Sequence, residues 1–214
     1  MGLASNRYFL AVTRELLTGR KGQSPHELFQ RAGVPKTSGY RAVGFYEYHG
    51  AMRTERGIEA DARSILTLQG GLRAERALPD RDFIKGPPLD VALDVLRGLE
   101  VEAALGFQTA ANRHAYFEPS GAHQLYIQRP TKVTDAAKLT GQILNAFTQH
   151  PRASHSDAYE LYVDDLARLD VRQERGQPIT SPVQTLLDLC LHNRTAAHKE
   201  FLLDQLRKQE VVHG

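Results

Sequence analysis

The stretch SPHELFQRAGVPKTSGYRAVGFYEYHGAM, Ser24 to Met52, reads as a helix, a tight turn and a second helix that turns a polar face outward. Ser24 suits the N-cap, Pro25 the first helical position, and Glu27 completes a capping box with Ser24. Leu28, Phe29 and Ala32 form an apolar stripe at helical spacing, and Gly33 ends the helix where a left-handed residue is needed. Val34 is expected to plug the turn. Pro35 cannot continue the first helix but can open a second, with Lys36, Thr37 and Ser38 in its first turn, where free N–H groups suit an anion. Tyr40 and Arg41 follow. In this second helix, Pro35 to His49, the spacing turns Ala42, Val43 and Tyr46 inward and Lys36, Thr37, Ser38, Arg41, Gly44 and Phe45 outward. Gly50 is expected to cap its C-terminal end.

Gly33 to Arg41, GVPKTSGYR, resembles the recognition-helix segment of the winged helix-turn-helix family. The resemblance implies a DNA-reading second helix followed by a β-wing, for which Ala51 to Ile58 is the candidate. Lys36, Thr37, Ser38, Tyr40, Arg41 and Phe45 on the helix, with Arg53 and Arg56 on the wing, are the expected contacts to bases and phosphates of double-stranded DNA. One position departs from the pattern. Gly39 stands where Val or Ile is usual, and glycine inside a helix costs roughly 1 kcal/mol relative to Ala. Close backbone packing at Gly39, or a bent helix, is therefore expected.

The 214 residues, 41% hydrophobic, suffice for two small domains with real cores. A single Cys rules out disulfide staples, and no CxxC pattern offers a thiolate zinc site. The N-terminus lacks a secretory apolar region, and no run approaches the roughly 20 apolar residues of a membrane span. A cytoplasmic protein without membrane association is expected. The net charge of +2 is unevenly spread: 12 Lys and Arg stand against 8 Asp and Glu through Asp80, and 15 against 17 beyond it. The basic excess coincides with the two-helix segment, as attraction to phosphate would require.

An amphipathic helix carrying Tyr8, Leu10, Val12, Leu16 and Leu17 precedes the segment, and Asp61 can cap a further helix bearing Ile65, Leu66 and Leu68. Leu78–Pro79–Asp80 and Lys85–Gly86–Pro87–Pro88 read as an extended linker. The spacing predicts a domain at 1–80 and a second, mixed α/β domain at 81–214, an α+β chain overall. In the second domain it predicts helices at Leu89–Leu99, Thr109–Phe117 and Ala136–Phe147. Strands are predicted at Ala103–Phe107, His123–Gln128 and Ala158–Val163, and a hairpin or loop at Asp170–Pro178. Helices Pro182–Leu191 and Thr195–Val211 close the chain.

Three segments carry a second resemblance: Ala104 to Ala111, Leu125–Tyr126–Ile127, and Gly176 to Leu189 (GQPITSPVQTLLDL). They resemble the C-terminal region of abortive-infection type IV antitoxins, the AbiEi-like family, which joins such a domain to an N-terminal winged helix. That implies an autoregulator binding inverted repeats in its own promoter, with a nucleotidyltransferase-like toxin as its direct or functional partner.

Enzymatic patterns are weak by comparison. Tyr162–Val163–Asp164–Asp165 matches a YxDD string of paired carboxylates, but no companion acidic strand accompanies it. No Gly-Ser turn precedes spaced aspartates, and no P-loop or nucleophile elbow occurs. The nine histidines include no HxxxH pair, so neither catalytic residue, metal site nor cofactor is expected. Two other readings compete: a repressor whose second domain senses a small ligand, and a protein-interaction module that does not bind DNA.

Overall fold

The computed structural model describes residues 6–19, 22–74, 81–118, 121–132, 135–151, 157–190, 196–209 and 211–212. The chain is α+β and divides into two compact units, Met1–Arg76 with Leu186–Gly214, and Ala77–Thr185. The return of residues 186–214 to the first unit differs from the expectation that 81–214 form one domain.

The first unit opens with α1 (Arg7–Thr18), α2 (Pro25–Arg31) and α3 (Lys36–Tyr48). Asn6 caps α1 by accepting the Tyr8 N–H, and the α1 stripe Phe9, Leu10, Val12, Leu16 and Leu17 is buried. The α2 capping box is complete. Ser24 Oγ accepts the Glu27 N–H at 3.3 Å, and the Ser24 N–H donates back to the Glu27 carboxylate at 2.7 Å. Those Ser24 donors hold the Glu27 carboxyl below its usual range. Gly33 ends α2 at φ +62°, the left-handed conformation that a side chain resists. Pro35 is the N-cap of α3 rather than its first helical residue.

A two-stranded antiparallel ribbon follows, β1 (Met52–Arg53) and β2 (Glu59–Ala60), with Met52 opposite Ala60 and Arg53 opposite Glu59. It extends two residues beyond the expected Ala51–Ile58. The loop leading into β2 is tied to the segment between α1 and α2, because Gly22 N–H donates to Ile58 O at 2.9 Å and Ile58 N–H to Gln23 O at 2.8 Å. Asp61 caps α4 (Ala62–Ala74) as its position predicts, accepting the Ser64 N–H at 3.1 Å, and the Ser64 hydroxyl holds its carboxyl low. A polar knot locks α1, α3 and α4 together within this core. Thr13 donates to Phe9 O, Tyr46 OH donates to Thr13 Oγ1 at 2.6 Å, and Gln69 Nε2 donates to Tyr46 OH at 2.6 Å. The closing helices of the chain are α8 (Pro182–Leu189) and α9 (Ala196–Lys208), close to where the spacing puts them. Arg63 of α4 pairs with Glu200 of α9 at 3.3 Å.

The second unit is a six-stranded mixed sheet in the order β3 (Arg81–Gly86), β6 (Asp157–Asp164), β5 (His123–Gln128), β4 (Ala103–Leu105), β8 (Gln177–Thr180), β7 (Val171–Glu174). β6 runs parallel to β5 and β8 to β4, whereas the other neighbours are antiparallel. Leu105, Leu125, Ile127, Tyr159, Leu161 and Ile179 bury one face against α5 (Leu89–Gly98) and α7 (Asp135–Thr148). The predicted β5, β6, α5 and α7 therefore stand within a residue or two of their expected bounds. The predicted hairpin is β7–β8, turning at Arg175 and Gly176, both at positive φ.

Two expectations are corrected here. Lys85–Gly86 is not linker: Arg81 to Gly86 pairs residue by residue with Tyr162 to Asp157, and a Cβ on Gly86 would lie 2.4 Å from the Phe147 ring. Sheet pairing overrides the local Gly-Pro-Pro signal, and Pro87–Pro88 leads into α5 instead. Residues 78–80 lie outside the described residues. Phe107 is likewise not the end of a strand. Gly106, where a Cβ would meet the Tyr126 ring at 2.6 Å, turns the chain so that α6 (Phe107–His114) begins at Phe107 with φ +48°. There the Phe107 ring lies 4.3 Å from Tyr162 and 5.1 Å from Tyr126.

Candidate nucleic-acid interface

Two helix starts in the first unit behave differently. Ser24 and Glu27 occupy donors at the start of α2, whereas Pro35 offers α3 no side-chain cap. The first α3 donor to find an intrahelical partner is the Gly39 N–H, which reaches Pro35 O at 2.9 Å. The N–H groups of the preceding turn thus point outward beside Lys36, Thr37 and Ser38, at the positive end of the helix dipole.

Gly39 explains how α3 is seated. It is buried, and a Cβ there would lie 2.3 Å from the Phe29 ring, inside any tolerable contact. Of the two expectations for this glycine, close packing is the one observed. The Phe29 ring also meets Tyr40 edge-on at a centroid distance of 4.9 Å, holding a tyrosine that stays 58% exposed. Glycine at 39 lets α3 lie against α2, and that approach fixes which side chains face out.

Lys36, Thr37 and Arg41 are exposed as expected, and Ser38 is half-buried. Phe45 departs from expectation. It is half-buried, edge-on to Phe9 at 5.5 Å and tilted against His49 at 4.5 Å, because its helical position lies on the edge of the α1 contact. Tyr48 is the residue the sequence reading passed over. It is 86% exposed, and Tyr40, Gly44 and Tyr48 recur every four residues, a spacing that lines one helix face. That recurrence was the available signal.

Arg53 on β1 and Arg56 in the hairpin loop are exposed. None of Lys36, Arg41, Arg53 and Arg56 has an ion-pair partner among the described residues, whereas Arg31 is held by Glu15 at 2.8 Å. The hairpin also carries Glu55 and Glu59, and the last turn of α3 carries Glu47, which accepts the Thr54 hydroxyl. Positive charge is therefore concentrated at the N-terminal half of α3, where Lys36, Arg41 and the open N–H groups coincide. Among the described residues no three metal-ligating side chains group together, and no helix is long and apolar enough to cross a membrane. Compared with protein-family models, curated proteins and solved structures, the chain matches none.

Proposed function

We propose that the chain is a sequence-specific DNA-binding transcriptional regulator, with α2, α3 and the β1–β2 hairpin acting as a winged helix-turn-helix. The observation that carries this reading is the N-terminal half of α3: exposed Lys36, Thr37, Tyr40 and Arg41, no ion-pair partner for either cation among the described residues, and an uncapped helix start. Polyanionic phosphate satisfies all of these at once. In this mechanism α3 enters a major groove, Arg41 and Tyr40 reach base edges or phosphates, and Arg53 and Arg56 on the hairpin meet the flanking backbone. Seating of Gly39 on Phe29 holds α3 at a fixed distance from α2, which sets its depth in the groove.

The resemblance of the second half supports the more specific role of a cytoplasmic antitoxin that represses its own promoter beside a nucleotidyltransferase-like toxin. The test is fluorescence anisotropy with a labelled duplex of that promoter against a scrambled duplex. Arg41→Ala is expected to weaken specific binding by about 1–3 kcal/mol with an unchanged melting temperature, since its side chain is exposed. Equal affinity for both duplexes, or an unaffected R41A variant, would sink the assignment.

A further inference from the structure

A recess of about 810 Å³ opens in the second unit between the end of α5, the start of β4, the 3-10 turn Leu166–Arg168 and the β7–β8 hairpin. We propose that it binds a small organic cation with an apolar body. Its volume falls in the range of roughly 300–1,000 Å³ that small-molecule sites occupy. Leu93, Leu96, Val101, Leu166, Val171 and Pro178 supply apolar wall, so the body of a ligand gains by leaving water.

The charge of the ligand follows from which rim groups are already satisfied. Arg97 is held by Asp94 at 2.6 Å, and Asp165 by Arg168 at 3.0 Å. The Gln128 amide is engaged too, its oxygen accepting the Leu166 N–H at 2.9 Å and its nitrogen donating to Arg129 O at 3.1 Å. Of the charged rim groups, Glu100 and Glu102 remain, exposed and without an ion-pair partner among the described residues. They stand at the C-terminal end of α5, the negative end of its dipole. Glu100 sits at φ +56°, just beyond the helix, where Val101 N–H donates to Leu96 O at 2.9 Å. Glycine is the favoured residue for that conformation, yet the chain keeps a carboxylate there. An ammonium group seated between Glu100 and Glu102 stays partly hydrated while its apolar body takes the wall. Occupancy of this site does not depend on DNA binding.

The test is titration of the full chain with n-octylamine, n-octanoate and n-octanol, followed by calorimetry and by amide chemical shifts. The amine is expected to bind at one site about 10-fold more tightly than the carboxylate, a modest contrast because the carboxylates are solvent-exposed. Shifts should centre on Leu93, Val101 and Leu166. Glu100→Gly with Glu102→Gln should abolish the preference for amine and leave octanol binding unchanged, and E100G relieves a backbone strain rather than adding one. Ala167→Trp, on the exposed turn at the mouth, should block all three probes. Equal binding of octanoate, or amine binding that survives A167W, would overturn the proposal. So would sedimentation showing that the wild type self-associates and A167W does not, since a second copy would then be the occupant.

Discussion

In the first unit Lys36, Arg41, Arg53 and Arg56, which have no ion-pair partner among the described residues, stand on an exposed helix face and a hairpin, whereas in the second Glu100 and Glu102, likewise without such a partner among the described residues, rim a recess with apolar walls. The two sets differ in sign, but geometry is what separates their partners. Charges spread along a helix and hairpin suit a repeating polyanion that meets them one by one. Two carboxylates beside an apolar wall suit one molecule that carries a single charge and a body. An open charge thus gains meaning from the surface beside it, and salt is the sharpest way to test the contrast.

If all four cations meet phosphate, raising monovalent salt from about 50 to about 200 mM should lower promoter affinity by about 100-fold. Octylamine binding should fall only a few-fold under the same change. Parallel salt slopes would erase the distinction between the two surfaces.

The next effect concerns how α3 is seated. Gly39→Ala drives a Cβ into the Phe29 ring and is expected to destabilise the fold by about 1–3 kcal/mol in urea unfolding. Phe29→Leu, in the G39A background, should restore part of that loss. Gly44 offers the opposite case on the same helix, being exposed with no atom within 4 Å of the place a Cβ would take. Gly44→Ala should therefore stabilise the fold by up to about 1 kcal/mol. Under the proposed DNA-binding mode it should also weaken promoter binding, because Gly44 lies between exposed Tyr40 and Tyr48 on the face that would enter the groove. A gain in stability with unchanged affinity would remove Gly44 from the contact surface.

The smallest effect belongs to the second unit. The His114 ring donates from Nε2 to Thr180 O at 2.8 Å, with Glu174 3.7 Å from Nδ1. Burial pushes its pKa below the ordinary 6.5, outweighing the raising effects of Thr180 O and the Glu174 carboxylate. The unfolded chain then takes up the proton first, so this contribution to stability is present above pH 6.5 and is lost as pH falls through the lower folded value. His114→Gln, which keeps a donor for Thr180, should flatten the decline in urea midpoint between pH 7.5 and about 5.5. An equally steep decline in the variant would assign the pH dependence to other groups.

Local signals were legible wherever a few adjacent residues settle the backbone. The Ser24 and Glu27 capping box, the end of α2 at Gly33 and the Asp61 cap of α4 are each read from short-range hydrogen bonding, and each stands as expected. β5 and β6 were legible because Leu125–Tyr126–Ile127 and Leu161–Tyr162–Val163 are short apolar runs rich in β-branched and aromatic residues, which favour strands. β3 was not. Its Lys85–Gly86–Pro87–Pro88 end carries the local chemistry of a linker, and only the ladder with β6 makes it a strand. Phe107 escaped for a similar reason, since its apolar character suits a buried strand and the turn at Gly106 depends on the Tyr126 ring packed against it.

The sequence alone determined where most helices and central strands lie, that Ser24 and Asp61 cap α2 and α4, and that basic residues gather around α3, because these depend on neighbours within a few positions. Tertiary structure alone decided that Gly39 seats α3 on Phe29, that Phe45 turns toward α1 while Tyr48 faces out, and that residues 186–214 join the first unit. Tertiary packing also brought Glu100 and Glu102 to the rim of a recess whose walls come from segments as far apart as Leu93 and Pro178. Close packing and long-range pairing join residues that no spacing rule connects, so where those contacts fall is written only in the folded chain.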